Sequence, residues 1–172
     1  MEPVTASETI DLPREEVFEY LADIANHPEF MDHFVSEWRL LRIDSYGAGA
    51  GARFHLDAPR HRFSWADLSF VEVSPPFRIL AVGRQGKFNR NKLWWEWRLD
   101  PVQGGTRVTS TVEIEAALPT DRLVQGFRYR GWFKRSLRKS LGRLQRILED
   151  DEGRGQRATV GGLSAPAGVF DH

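Results

Sequence analysis

From residue 35 to residue 116 the chain alternates strand-length segments with short turn-rich connections, and no other feature restricts its fold as strongly. The segments are 35–44, 52–58, 62–74, 77–84, 91–100 and 106–116, joined by "YGAGAG", "APRH", "SPP", "RQGKFNR" and "PVQGG". Parallel neighbours need crossovers of a dozen residues or more, so joins this short predict an antiparallel sheet. Side chains alternate across a strand. In the last segment Val108, Ser110, Val112, Ile114 and Ala116 alternate with Arg107, Thr109, Thr111, Glu113 and Glu115, which gives the sheet one dry and one wet face. The stretch "KLWWEWRL" sets Leu93, Trp95, Trp97 and Leu99 on one face, and Lys92, Trp94, Glu96 and Arg98 on the other. Trp94 is therefore expected at the surface or an interface, while the other two indoles either line a cavity or fill it.

The flanks of this region read differently. "VTASETI" (4–10) is a further strand, and Pro13 with Glu15 and Glu16 suits the first turn of a helix whose apolar stripe is Val17, Phe18, Leu21 and Ile24. A second short helix is expected from "NHPEFMDHF", with Asn26 as cap, Pro28 in the first turn and Glu29 at the capping-box position. After the sheet, Thr120 can cap a helix of about seven turns. Its predicted stripe is Leu123, Gly126, Arg130, Phe133, Leu137, Leu141, Leu144 and Leu148. The expected organisation is one domain, 1–150, and a disordered tail, 151–172, whose later part has several glycines and no apolar periodicity.

Composition narrows the chemistry. The chain has no cysteine, so it has neither disulfides nor a thiolate nucleophile or ligand. The N-terminal stretch lacks the basic-then-apolar pattern of a signal peptide, and no apolar run reaches the roughly 20 residues that span a bilayer, so a cytoplasmic protein is expected. Gly47, Gly49 and Gly51 imitate a dinucleotide fingerprint but join two strands, with no helix N-terminus to receive a phosphate. The pairs His27 with His33 and His55 with His61 lack the i, i+4 spacing of a helical metal pair, and no Gly-x-Ser-x-Gly elbow occurs. Neither a metal nor another cofactor is expected. Net charge is zero, yet residues 1–37 carry ten Asp or Glu against Arg14, and residues 121–148 carry nine Lys or Arg against Asp121. The basic helix is either a solvated face, a partner for the acidic N-terminal helices within one molecule or across a homodimer, or a dock for anionic lipid or RNA. Nothing points to DNA.

The order of elements, with "IDLPREEVFEYLADIANHPEF", "GAGARF", "EVSPPFRIL" and "GGTRVT" at their places in it, resembles the START-like superfamily of polyketide cyclases, lipid-transfer domains and plant pathogenesis-related allergens. The resemblance covers residues 4 to about 150. It implies an α+β helix-grip fold, in which a curved seven-stranded antiparallel sheet wraps a long C-terminal helix and two short helices lie between strands 1 and 2. It also implies a hydrophobic cavity between sheet and helix, and no common catalytic motif. "LADIANHPEF" is similar to the coenzyme-Q-binding and ribosome-associated branch, from which the chain departs at His27, where tyrosine is usual, and at "MDHF".

The candidate cavity residues are Trp65, Asp67, Trp95, Trp97, Val112, Gly126, Phe127, Arg130 and Phe133. Arg130 interrupts an apolar stripe, where an unpaired guanidinium is costly. Without a bulge, Asp67 shares a strand face with Phe63, Trp65, Val71 and Val73. Either Arg130 binds a polar group of a ligand that Asp67 orients or deprotonates, or the two form a buried ion pair, or Arg130 extends to solvent. Gly126 and Gly131, costly inside a helix, mark a cavity entrance, close packing against the sheet or a mild kink. These residues predict binding, with transport as an extension of it, of an apolar or aromatic small molecule or lipid. One alternative is a polyketide cyclase, aromatase or dehydratase working in the same cavity with Asp67 or His55. Another is an interaction module acting through the basic helix.

Overall fold

The computed structural model describes residues 1–59, 61 and 64–164. The chain runs β1 (Val4–Ile10), α1 (Arg14–Ala22), a 3-10 turn (Ile24–Asn26), α2 (His27–Met31), β2 (Val35–Leu40), β3 (Gly51–Leu56), β4 (Trp65–Ser74), β5 (Arg78–Gln85), β6 (Asn91–Val102) and β7 (Gly105–Glu115). Two helices follow, α3 (Pro119–Val124) and α4 (Phe127–Asp150), then the short strands β8 (Ala158–Thr159) and β9 (Gly162–Leu163). The seven long strands form one antiparallel sheet in the order β1-β7-β6-β5-β4-β3-β2. The sheet curls around α4, and α1 and α2 pack beside it, as the helix-grip order predicted.

Alternation decides which side chains enter the core. On β6 Leu93, Trp95, Trp97 and Leu99 are buried, and on β7 Val108, Val112 and Ile114. Helix α1 buries Val17, Phe18 and Leu21 along its predicted stripe. The expected caps are not used: Asn26 donates its side-chain amide to the Tyr20 carbonyl at 2.9 Å, and Leu118, not Thr120, precedes the first turn of α3. Gly83 lies so close to β4 that a Cβ on it would stand 1.7 Å from the Asp67 carbonyl oxygen.

Three expectations are corrected. Strand β4 turns Ala66, Leu68 and Phe70 inward, not Trp65 and Asp67, because this phase keeps the Asp67 carboxylate out of the apolar core. A register shift between Phe70 and Glu72 then leaves Val71 exposed and brings Val73 against the core, so the face grouping proposed for Trp65, Asp67, Val71 and Val73 does not exist. Phe63, placed in the same group, lies outside the described residues.

The terminal helix is not one rod of seven turns. It breaks at Gln125 and Gly126, where Gly126 takes an extended conformation, φ −64° and ψ −169°, before α4 begins. The break separates Leu123 from the phase of α4, which itself keeps the predicted buried row from Phe133 onward. Tyr129, not Arg130, joins Phe133, Leu137, Leu141 and Leu144 on the buried side, while Leu123 and Phe127 swing out.

Residues 151–164 are not a disordered tail. They fold back over the N-terminal helices, where Arg154 pairs with Glu29 at 3.1 Å and Arg157 with Asp23 at 2.6 Å, and Ala158 is buried. Residues 165–172 lie outside the described residues. Among those described, no helix is long and apolar enough to cross a membrane.

Candidate ligand cleft at the helix elbow

The paired indoles fill the interior between sheet and helix. Trp95 and Trp97 are each 1% exposed and stack with centroids 5.3 Å apart and planes 8° apart. The Trp95 indole nitrogen donates to Ser110 Oγ at 2.9 Å, which satisfies its buried polar atom. Phe34 packs 6.3 Å from Trp95, and Phe133 lies 6.5 Å from Phe34. His27 sits edge-on to Trp97 at 4.8 Å, and its Nε2 bonds the Leu21 carbonyl at 2.8 Å. Burial lowers the His27 pKa to about 4, because a charged imidazole among these rings would lose its hydration. Val112 and Phe133 belong to the same packed core.

Open space lies at one end of this core, around the α3–α4 break. A cavity of about 360 Å³ is bounded by the β5–β6 turn on one side and by α3 and Tyr129 on the other. A groove of about 780 Å³ continues along the outside of the elbow past Leu123, Phe127 and Trp132. His61, Val124 and Tyr129 line both spaces.

The inner cavity is amphipathic by construction. Gln85 and Asn91 end the inward rows of β5 and β6, so each row of apolar side chains finishes in an amide. Asn91 Oδ1 accepts from the Ala117 backbone at 3.0 Å, which fixes the amide and ties β6 to the approach to α3. Gln125, at the helix break, accepts from the Met1 nitrogen at 2.8 Å, while its buried Nε2 has no partner among the described residues. Tyr129 stacks with Trp132 at 5.8 Å and lies 4.6 Å from the His61 ring. Burial raises the Tyr129 pKa well above the ordinary tyrosine value, so the hydroxyl keeps its proton. Burial also lowers that of His61, which favours the neutral imidazole. Arg90 holds Asp121 through two bonds of 2.7 and 2.5 Å and so clamps the β5–β6 turn to α3. The same guanidinium keeps the Asp121 carboxyl below the usual carboxylate range.

The predicted site residues are thus dispersed. Trp95, Trp97, Val112 and Phe133 form the packed interior, and Gly126 and Phe127 stand at the outer groove with Gly131. Trp65 and Asp67 face the opposite side of the sheet. There the Arg53 guanidinium lies 5.3 Å from the Trp65 ring centroid and 3.7 Å from Asp67, and Asn89 donates to Asp67 at 3.2 Å. His55 shares that outer face, bound to Asp57 at 2.9 Å. Neither Asp67 nor His55 therefore lines the inner cavity or the groove.

Arg130 is half exposed and pairs with Glu2 at 3.1 Å, not with Asp67. The residues that sequence reasoning missed are Gln85, Asn91, Gln125, Tyr129 and His61. Asn91 left a readable signal, since it is the lone amide in phase with Leu93, Trp95, Trp97 and Leu99. Tyr129 left another, one turn before Phe133 on the stripe that the helix does bury.

Comparison with curated proteins gave no sequence match. Among solved structures, KanY superposes with a TM-score of 0.70 at 16% identity, covering 86% of this chain and 97% of that one. TTHA0849 of Thermus thermophilus gives 0.68 at 16% identity, over 87% and 99% of the two chains. Truncated norcoclaurine synthase of Thalictrum flavum gives 0.65 at 10% identity, over 87% and 94%. At these identities the superpositions speak for the fold alone. The family model described as polyketide cyclase / dehydrase and lipid transport matches residues 1–149, and the chain belongs to that ligand-binding helix-grip family.

Proposed function

We propose that the protein binds an apolar or aromatic small molecule carrying a hydroxyl or carbonyl group, seated in the cavity at the helix elbow. The observation that carries this reading is the unpaired Gln125 Nε2, buried at the lining of a cavity that also presents the Gln85 and Asn91 amides and the Tyr129 ring. An unpartnered buried donor is expensive unless a guest satisfies it. The aromatic and aliphatic walls supply contact area, and the amides supply orientation. The interior itself is occupied by its own indoles, so the proposed guest enters at the elbow and stays beside Tyr129.

Catalysis in the same cavity is a second reading, favoured by one observation. The His61 ring lies 4.6 Å from the Tyr129 ring on the cavity lining, and burial, which lowers the His61 pKa, disfavours its charged form, so the two side chains bring a titratable base and a phenol to one wall.

The test is a thermal-shift and calorimetric panel of naphthols, flavonoids, polyketide-like phenols and fatty acids. A true ligand at 100 times its dissociation constant should stabilise the protein by about 2.7 kcal/mol. Gln125→Ala and Tyr129→Ala should weaken binding, and Asp67→Asn should leave it unchanged. Equal loss with Asp67→Asn, or stabilisation by polar metabolites alone, would refute the assignment.

A further inference from the structure

We infer that the outward face of α4 and the helix elbow together form a docking surface for an anionic lipid bilayer. This goes beyond the ligand reading and needs no guest in the cavity. Three apolar side chains project from the elbow into solvent: Leu123 is 82% exposed, Val124 55% and Phe127 89%. An exposed apolar cluster of this kind is costly unless something covers it.

The rest of the face identifies what covers it. Arg128, Arg135, Arg138, Lys139 and Arg146 are all exposed along α4, and none has a carboxylate at ion-pair distance among the described residues. Their helical positions, projected at 100° per residue, fall within about 20–120° to one side of that of Phe127 and oppose the buried row of Phe133, Leu137 and Leu144. No Asp or Glu occurs between residues 122 and 148. The two cations of this region that are neutralised, Arg130 by Glu2 and Arg143 by Asp32, lie at the edges facing the body of the protein.

Cations flanking apolar tips match a bilayer interface with anionic headgroups, where the tips reach the acyl boundary and the cations meet phosphates and carboxylates. A symmetric contact with a second copy would set these uncompensated charges against one another. RNA fits less well, because two of the three tips are aliphatic and give bases no stacking platform.

The experiment is co-sedimentation of the full chain with phosphatidylcholine vesicles and with vesicles containing about 30% phosphatidylglycerol, a composition chosen to give an anionic surface. The expected result is binding to the anionic vesicles alone, weakened about fivefold for each unit of positive charge lost and strongly reduced at high salt. The double variants L123S/F127S and R135E/R138E should each reduce binding at least about tenfold. Circular dichroism should remain unchanged, since all four side chains are exposed. Equal binding to neutral vesicles, no binding to either, or binding unaffected by both double variants would overturn the proposal. So would a dimer or an RNA complex that these substitutions abolish while vesicle binding is absent.

Discussion

His27 makes the stability of this fold depend on pH in a window that few other groups share. Its imidazole is fully buried against Phe30, Phe70 and Trp97, with Nε2 on the Leu21 carbonyl. The folded pKa is about 4, against 6.5 for the free side chain. As pH falls, the unfolded chain takes up the proton first, so stability is complete above about pH 6.5 and is lost progressively toward pH 4. Between those two values each pH unit costs about 1.4 kcal/mol, so the loss reaches about 2 kcal/mol by pH 5 and about 3 kcal/mol by pH 4. His33 and His61, both lowered by burial, act in the same direction. Urea titrations at pH 8, 7, 6 and 5, followed by tryptophan emission, measure this directly. His27→Gln keeps a donor for the Leu21 carbonyl but cannot titrate, and should remove most of the slope at some cost in baseline stability. Stability that is flat from pH 8 to 5, or a slope unchanged in the glutamine variant, would rule out this role for His27.

Four further outcomes follow from named contacts. Trp97→Ala should destabilise the protein by about 3–5 kcal/mol in denaturant titrations, because the cavity it opens sits between Trp95 and His27. Arg130→Met should change stability by less than about 1 kcal/mol, as expected for an exposed ion pair with Glu2. Gly83→Ala should prevent recovery of folded protein or lower its melting temperature sharply, because the new Cβ collides with the Asp67 carbonyl. Removing residues 151–164 leaves the buried Glu29 carboxylate with Tyr20 as its remaining side-chain partner, and should cost about 1–3 kcal/mol and speed proteolysis around α2.

The sheet was legible in the sequence because strand periodicity and turn length are local signals. The bounds of Val4–Ile10 agree to the residue, and the antiparallel order follows from hairpin-length joins. The face of β4 was not legible, since a bulge at Val71 inverts the alternation and "WADLSFVEV" has apolar residues in both phases. The elbow was missed for a related reason. Gly126 reads as an entrance, a packing contact or a mild kink when the stripe is extended from Leu123 to Leu148, and that extension puts Arg130 in the row where Tyr129, one turn before Phe133, is buried. The C-terminal strap is polar in composition and is held by Arg154 and Arg157 on the acids of the N-terminal helices, a long-range pairing that periodicity cannot report. The charge asymmetry between the N-terminal region and the terminal helix is met in part by the helix itself, through Arg130 on Glu2 and Arg143 on Asp32.

The cavity assignment is tested most directly by nuclear magnetic resonance. Amide and side-chain shifts would be followed while the tightest binder from the phenol and fatty-acid panel is titrated in. The largest changes should fall at Gln85, Asn91, Gln125 and Tyr129, including the Gln125 side-chain amide. The Trp65 indole on the far face of the sheet should stay still. Changes centred on Trp65, Arg53 and Phe88, with Gln125 and Tyr129 unmoved, would contradict a guest seated at the elbow.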